Sequence, residues 1–163
     1  MKLPLSMSEH HDEITPQDII YILENPWEKL KWEWKLDNES ERQETLQFIK
    51  ERLKLTQQDG YSKIWKTPDD EPLAIVGGYK VGDKKYATFF ISSKHMETYG
   101  MQISFNMRKI AKELALQFKG CSISQYAEAD DTDRISWYRF LGYKHKPEGD
   151  IGNKLYFEYA SPD

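Results

Sequence analysis

Apolar residues recur at helical spacing in several stretches of the chain, and at strand-like spacing between them. The first helical stretch is Ile19, Ile20, Ile22 and Leu23, preceded by Thr15-Pro16-Gln17-Asp18. Thr15 can cap, Pro16 sits in the first turn where a missing N–H costs nothing, and Asp18 faces the positive helix end. Pro26 closes the helix, because the residue before a proline avoids helical backbone angles. Residues 27–36 alternate Leu30, Trp32, Trp34 and Leu36 with charged residues, the period of a half-buried extended segment. Asn38 followed by Glu41 predicts a capping box and a second helix up to Asp59-Gly60, with Leu46, Ile49, Leu53, Phe48 and Leu55 as its apolar stripe.

From Tyr61 the period changes. Strands are predicted at Tyr61–Lys66, Leu73–Lys80 and Lys85–Ser92, with turns at Pro68-Asp69-Asp70 and Gly82-Asp83. Gly77-Gly78 within the second marks a bulge or a close approach to a neighbouring strand, and nothing helical follows it to make a phosphate loop. Ile103, Met107, Ile110, Ala111, Leu114 and Phe118 then recur at steps of three and four, with Gly120 at the C-cap of a long helix. A strand at Cys121–Ala127, a short helix from Asp130 to Leu141 closed by Gly142, and strands at Tyr143–Lys146 and Lys154–Tyr159 complete the chain. The order is α-α-β-β-β-α-β-α-β-β, and residues 1–14 are irregular or hold a short first strand near Leu3–Leu5.

Composition narrows the possibilities. A chain of 163 residues suits one domain spanning 1–163 and can bury about two-thirds of its unfolded surface. Lys and Arg number 23 against 27 Asp and Glu, so no global positive field draws nucleic acid or an anionic membrane. The single Cys121 excludes an internal disulfide and a cysteine zinc site, which suits a reducing compartment and makes the cytoplasm the expected location. Met1–Ile14 lacks the apolar run of a signal peptide, and Leu73–Val76 and Ala87–Ile91 are far too short to span a bilayer. No metal is expected at His10-His11-Asp12, because adjacent side chains on extended backbone face opposite ways.

A three-strand meander, a long helix, a strand, a short helix ending in an aromatic-x-x-x-Gly-aromatic phrase and a last hairpin together resemble the GNAT superfamily of N-acyltransferases. The resemblance covers Tyr61 to Tyr159, and the two N-terminal helices loosely. Its sharpest piece runs from Asp131 to Tyr143, with Tyr138 at the family's Tyr position four residues before Gly142 and Asp131 where the family often has Asn. It implies an α+β fold: a central, mostly antiparallel sheet of six to seven strands flanked by about four helices.

The implied chemistry is direct attack of an amine on acetyl-CoA or another acyl-CoA, with a base taking the amine proton and an acid protonating the departing thiolate. A phenol of pKa roughly 10 can donate to a thiolate of pKa ~8.5 without being ionised at neutral pH, so Tyr138 is the implied acid. Taken alone, Tyr138 and Trp137 read equally as core aromatics. Glu128, at the end of its strand, and His95, just past the third meander strand, are either bases or ordinary surface groups. In the family a basic or amide residue, two residues, Gly, one residue, and Gly or Ala wrap the CoA diphosphate at a helix N-terminus. Here the aligned stretch is Glu97-Thr98-Tyr99-Gly100-Met101-Gln102, in which only Gly100 matches; Glu97 brings negative charge and Gln102 a bulky side chain. The CoA contacts so implied are Ile91, Ser92, Ser93, Thr98, Tyr99, Gly100, Met101, Gln102 and Asp131. Trp32 and Trp34 are core residues or an aromatic wall for the acceptor.

Two functions follow. One is an N-acyltransferase acting on an amine of a small molecule or protein, compatible with a homodimer. The other is a GNAT-fold binding or structural protein that has lost its cofactor. Pro72 to Gly78 and Asp131 to Gly142 also resemble segments of GNAT-like podovirus internal virion proteins, which would place such a protein in a phage virion.

Overall fold

The computed structural model describes residues 6–8, 14–28, 36–117 and 120–160. Strands are hydrogen-bonded in the order β1-β2-β3-β4-β5-β7-β6 in a seven-stranded sheet, comprising β1 (Ser6–Ser8), β2 (Gly60–Lys66), β3 (Pro72–Gly82), β4 (Lys85–Ser92), β5 (Ser122–Glu128), β6 (Lys144–His145) and β7 (Lys154–Ala160). Helices are α1 (Pro16–Glu24), α2 (Glu39–Gln58), α3 (Met96–Gln117) and α4 (Thr132–Leu141). This is the α+β architecture and element order expected from the sequence. The short first strand lies at Ser6–Ser8, while Leu3–Leu5 falls outside the described residues, as do 29–35 of the expected extended segment, with Trp32 and Trp34, and the His10-His11-Asp12 run. Contacts divide the chain into two units, Met1–Tyr79 with Phe89–Thr98, and Lys80–Thr88 with Tyr99–Asp163.

In the first unit, β2 lies antiparallel between β1 and β3, with Met7 opposite Trp65 and Ile64 opposite Ile75. A bulge falls between Trp65 and Lys66, away from the glycines. Gly77 and Gly78 answer to close packing instead: a Cβ on Gly77 would lie 2.5 Å from the Phe89 ring, and one on Gly78 2.3 Å from that of Tyr61. Both helices begin as their sequences require. Thr15 Oγ1 accepts from Asp18 N while Asp18 Oδ2 accepts from Thr15 N, and Asn38 Oδ1 accepts from Glu41 N. The core joins Ile19, Ile22 and Leu23 of α1, Leu46, Ile49 and Leu53 of α2, and Ile64, Ile75, Phe89 and Ile91 of the strands. Phe48 and Leu55 depart from the expected stripe and are exposed. At about 100° per residue they sit more than a quarter-turn from the centre of the buried face, and the Arg52 guanidinium covers the Phe48 ring at 3.9 Å.

In the second unit β4 runs parallel to β5 over Lys85 to Ala87, opposite Ser122 to Ser124. The other side of β5 pairs with antiparallel β7 along its whole length, from Ser122 opposite Ala160 to Glu128 opposite Lys154. Tyr138, Leu141, Tyr143, Ile123, Ala127 and Phe157 are buried here, and Tyr138 meets Phe157 edge to face at 5.4 Å. Gly142 ends α4 at φ 107°, which lets its N–H reach Arg139 O and the Tyr143 N–H reach Tyr138 O.

Gly142 and Gly152 separate backbone strain from crowding. Both have positive φ, but a Cβ at Gly142 would lie 2.6 Å from the Tyr159 ring, whereas one at Gly152 would meet nothing within 4 Å. Gly142→Ala is expected to cost more than the ~1–3 kcal/mol of backbone strain alone, and Gly152→Ala no more than that. Urea denaturation of both variants checks this, and equal losses would refute the crowding argument.

Candidate active site

Site-forming geometry in the first unit begins where β4 ends. The chain leaving α1 lies along it: Pro26 bridges Ser93, the Trp27 N–H donates to Ser92 O, and the Lys94 N–H donates to Asn25 O at 2.7 Å. On the other side the Ser93 N–H donates to Leu73 O and Ser93 Oγ to Pro72 O, each at 2.8 Å. Such pairing is what buried backbone groups require, and it fixes the backbone just before His95.

His95 meets two residues that the sequence did not single out. Its Nε2 lies 2.8 Å from the Tyr21 hydroxyl and 3.6 Å from Glu71 Oε1, and the Tyr21 hydroxyl donates to Glu71 Oε2 at 3.0 Å. The Tyr21 and His95 ring planes lie 7° apart with centroids 6.0 Å apart, so the two rings meet edge to edge through the 2.8 Å contact. Burial, followed by the hydrogen bond and charge of Glu71, pushes the Tyr21 phenol up to about 12. The one signal in the sequence was a hydroxyl-bearing residue inside the apolar run of α1. His95 keeps 21% of its side chain exposed.

The stretch aligned with the diphosphate loop is helical. Because α3 starts at Met96, Tyr99, Gly100, Met101 and Gln102 lie in its first turns rather than ahead of it. The Met96, Glu97 and Thr98 N–H groups already donate to the Ser93, Lys94 and His95 carbonyls. From the fifth helical residue onward, N–H groups belong to the carbonyl four residues back, which covers Gly100 to Gln102. Glu97, the acidic departure from the family pattern, accepts the Trp27 indole N–H at 3.0 Å. Met101 is exposed and Gly100 O accepts from Ser104 Oγ. Ile91 belongs to the core; Ser92 is fully buried, and its hydroxyl has no hydrogen-bond partner among the described residues. At this helix start the amides of Met96, Glu97 and Thr98 are therefore engaged within the protein.

In the second unit Tyr138 is 1% exposed and its hydroxyl donates to Tyr126 O at 3.0 Å. Asp131 caps α4, taking the Arg134 N–H on Oδ1 and the Arg134 guanidinium on Oδ2 at 3.3 Å, with both residues buried. Its carboxylate is thus held by its own helix. Glu128 accepts from Asn153 Nδ2 at the surface. Among the described residues no group of three His, Cys, Asp or Glu could hold a metal, and no helix is long and apolar enough to cross a membrane.

No protein-family model matches the chain, and no curated protein matches it in sequence. Solved structures do match its fold. An acetyltransferase of the GNAT family from Bacillus anthracis superposes with a TM-score of 0.68 at 10% identity, over 99% of this chain and 97% of that one. The PaiA N-acetyltransferase from Thermoplasma acidophilum, in complex with coenzyme A, gives 0.64 at 14%, over 97% and 99%. A chimeric SpeG spermidine N-acetyltransferase from Vibrio cholerae and hSSAT gives 0.61 at 10%, over 96% and 95%. The fold is that of the GNAT acetyltransferases.

Two measurements follow from the tyrosines. Tyr138→Phe keeps the ring and strands the Tyr126 carbonyl, so it should lower unfolding free energy by about 1–2 kcal/mol in urea; an unchanged stability would mean the buried bond contributes nothing. Tyr21 and Tyr143 both have folded pKa values raised to about 12, Tyr143 through burial. An unfolded tyrosine ionises near pH 10. Their contribution is therefore intact below pH 10 and falls as pH rises toward 12. Denaturation curves across that window should show the decline, and Tyr21→Phe should make it shallower.

Proposed function

We propose that this protein transfers an acyl group from an acyl-CoA, acetyl-CoA first among them, to an amine of a small molecule or protein. The supporting observation is the fold, shared along nearly the whole chain with two proteins whose names specify N-acetylation, one of them in complex with coenzyme A. The amine nitrogen attacks the thioester carbonyl, the new C–N bond replaces the C–S bond, the amine gives up a proton and the thiolate takes one. His95 is the base, since it combines partial exposure with a ring held at Nε2 by the Tyr21 hydroxyl. The family resemblance names Tyr138 as acid, and its hydroxyl, which donates to the Tyr126 carbonyl, would have to release it to act. Glu128 is the weaker base, a surface carboxylate already paired with Asn153. Cys121 suits the reducing compartment in which such a transfer would run.

A second function, binding or scaffolding without the cofactor, is favoured by one feature. The first N–H groups of α3 are engaged by Ser93, Lys94 and His95, and Glu97 stands among them.

One experiment separates the two. A ligand at 100 times its Kd adds about 2.7 kcal/mol of stability, so millimolar acetyl-CoA should raise the melting temperature measurably, and an amine panel of polyamines and peptide N-termini should reveal an acceptor. His95→Gln, whose amide can still donate toward Tyr21, should then slow transfer about 10²–10⁴-fold. No thermal shift with acetyl-CoA or free coenzyme A would favour the non-catalytic protein.

A further inference from the structure

Resting on His95 as the base of the proposed transfer, we propose that Tyr21 and Glu71 are positioning residues that hold its imidazole with the proton on Nε2 and the lone pair on Nδ1, directed to the acceptor amine. Proton bookkeeping at three atoms leads there. An ionised carboxylate accepts hydrogen bonds only, and a phenol has one proton to give. With the Tyr21 hydroxyl 3.0 Å from Glu71 Oε2, that proton goes to the carboxylate. The phenol oxygen, 2.8 Å from His95 Nε2, is left to accept, so Nε2 carries a hydrogen. The opposite arrangement, Tyr21 donating to a bare Nε2, would set the phenol lone pairs against Glu71 and leave Glu71 Oε1, 3.6 Å from the ring nitrogen, facing a second acceptor. Proton retention by Tyr21 well above neutral pH agrees with the first arrangement.

The three groups also sit on backbone that is held independently. Tyr21 is in the interior of α1. Glu71 closes a braced turn: its N–H donates to Thr67 Oγ1, its carbonyl accepts from the Thr67 N–H, and Asp70 within the turn takes φ 65°. His95 follows the Ser93 and Lys94 backbone that α1 and β3 clamp. The 2.8 Å contact between the Tyr21 oxygen and His95 Nε2, made edge to edge between near-parallel rings, limits rotation about the imidazole's χ2. Orienting one ring nitrogen through a hydrogen bond at the other is the general way a histidine's tautomer is set.

Long-range nitrogen–proton NMR on the labelled full chain reads the tautomer without any substrate. In the parent, His95 should show a protonated Nε2 and an unprotonated Nδ1 once the ring is neutral. Tyr21→Phe removes the acceptor and should mix the tautomers, whereas Glu71→Gln keeps an oxygen for the Tyr21 proton and should preserve the parent pattern better than Glu71→Ala. In acetylation assays, Tyr21→Phe and Glu71→Ala should lower kcat about ten- to a hundredfold, the usual cost of losing an orienting partner, with KM for acetyl-CoA little changed. Dispersed spectra and retained melting temperatures identify variants that have folded. A bare Nε2 in the parent, or a tautomer indifferent to Tyr21→Phe and Glu71→Ala alike, overturns the positioning role. A His95→Gln enzyme as fast as the parent overturns instead the assignment of His95 as base, whatever the spectra show.

Discussion

The end of β4 sets the terms for everything around it. A strand that stops inside a protein leaves backbone donors and acceptors that need partners, and here they are met from two directions. Asn25 and Trp27, just past α1, take one side through Lys94 N and Ser92 O; Pro72 and Leu73, at the start of β3, take the other through Ser93. Since those bonds bring the tail of α1 and the turn before β3 to the same few residues, they also bring Tyr21 and Glu71 to His95. The cluster of ionisable groups is thus a consequence of how backbone polarity is satisfied. The apolar face of α1, through Ile19, Ile22 and Leu23, supplies the burial that holds the arrangement.

The same three residues govern the start of α3. Ser93, Lys94 and His95 offer their carbonyls to the N–H groups of Met96, Glu97 and Thr98, a tight turn leading into the helix. Helix N-termini attract anions because those N–H groups are otherwise unpaired. Here the protein has paired three of them, those of Met96, Glu97 and Thr98. A phosphate arriving at this end would have to break short-range backbone bonds and accommodate Glu97, itself held by the Trp27 indole. Side chains such as Lys94 remain exposed and could supply charge, but a backbone cradle of the family type would require the turn to reopen.

Much of the fold was legible because local rules and global packing agree. Thr15-Pro16 with Asp18, and Asn38 with Glu41, open helices where capping chemistry says they should, and strand β4 occupies the predicted Lys85–Ser92. Gly142 closes α4 with the left-handed backbone that its position implies. Where periodicity misled, it was over a wide stripe: Phe48 and Leu55 share the apolar character of Leu46 and Leu53 but not their face. The candidate site was much less legible. His95 could be flagged from its place after a strand, yet Tyr21 and Glu71 lie 74 and 24 positions away, and only the tertiary fold joins them. Spacing reads what a helix or strand repeats, and this cluster repeats nothing.

Motif alignment and burial pull apart most clearly in the segment from Asp131 to Tyr143. Its residues match a family phrase, but each has a structural reason to be what it is. Asp131 caps α4 and holds Arg134. Tyr138 fills a pocket of aromatic rings formed with Tyr143 and Phe157 and satisfies the Tyr126 carbonyl, while Gly142 supplies a φ of 107° that other residues resist. A helix that must cap, pack and stop within ten residues selects this pattern even if no thiolate is ever protonated beside it. The phrase therefore carries the fold more strongly than the chemistry. By the same logic, residues that neither cap a helix nor fill the core say more about function, and His95, 21% exposed and held at Nε2 by Tyr21, is the clearest of them.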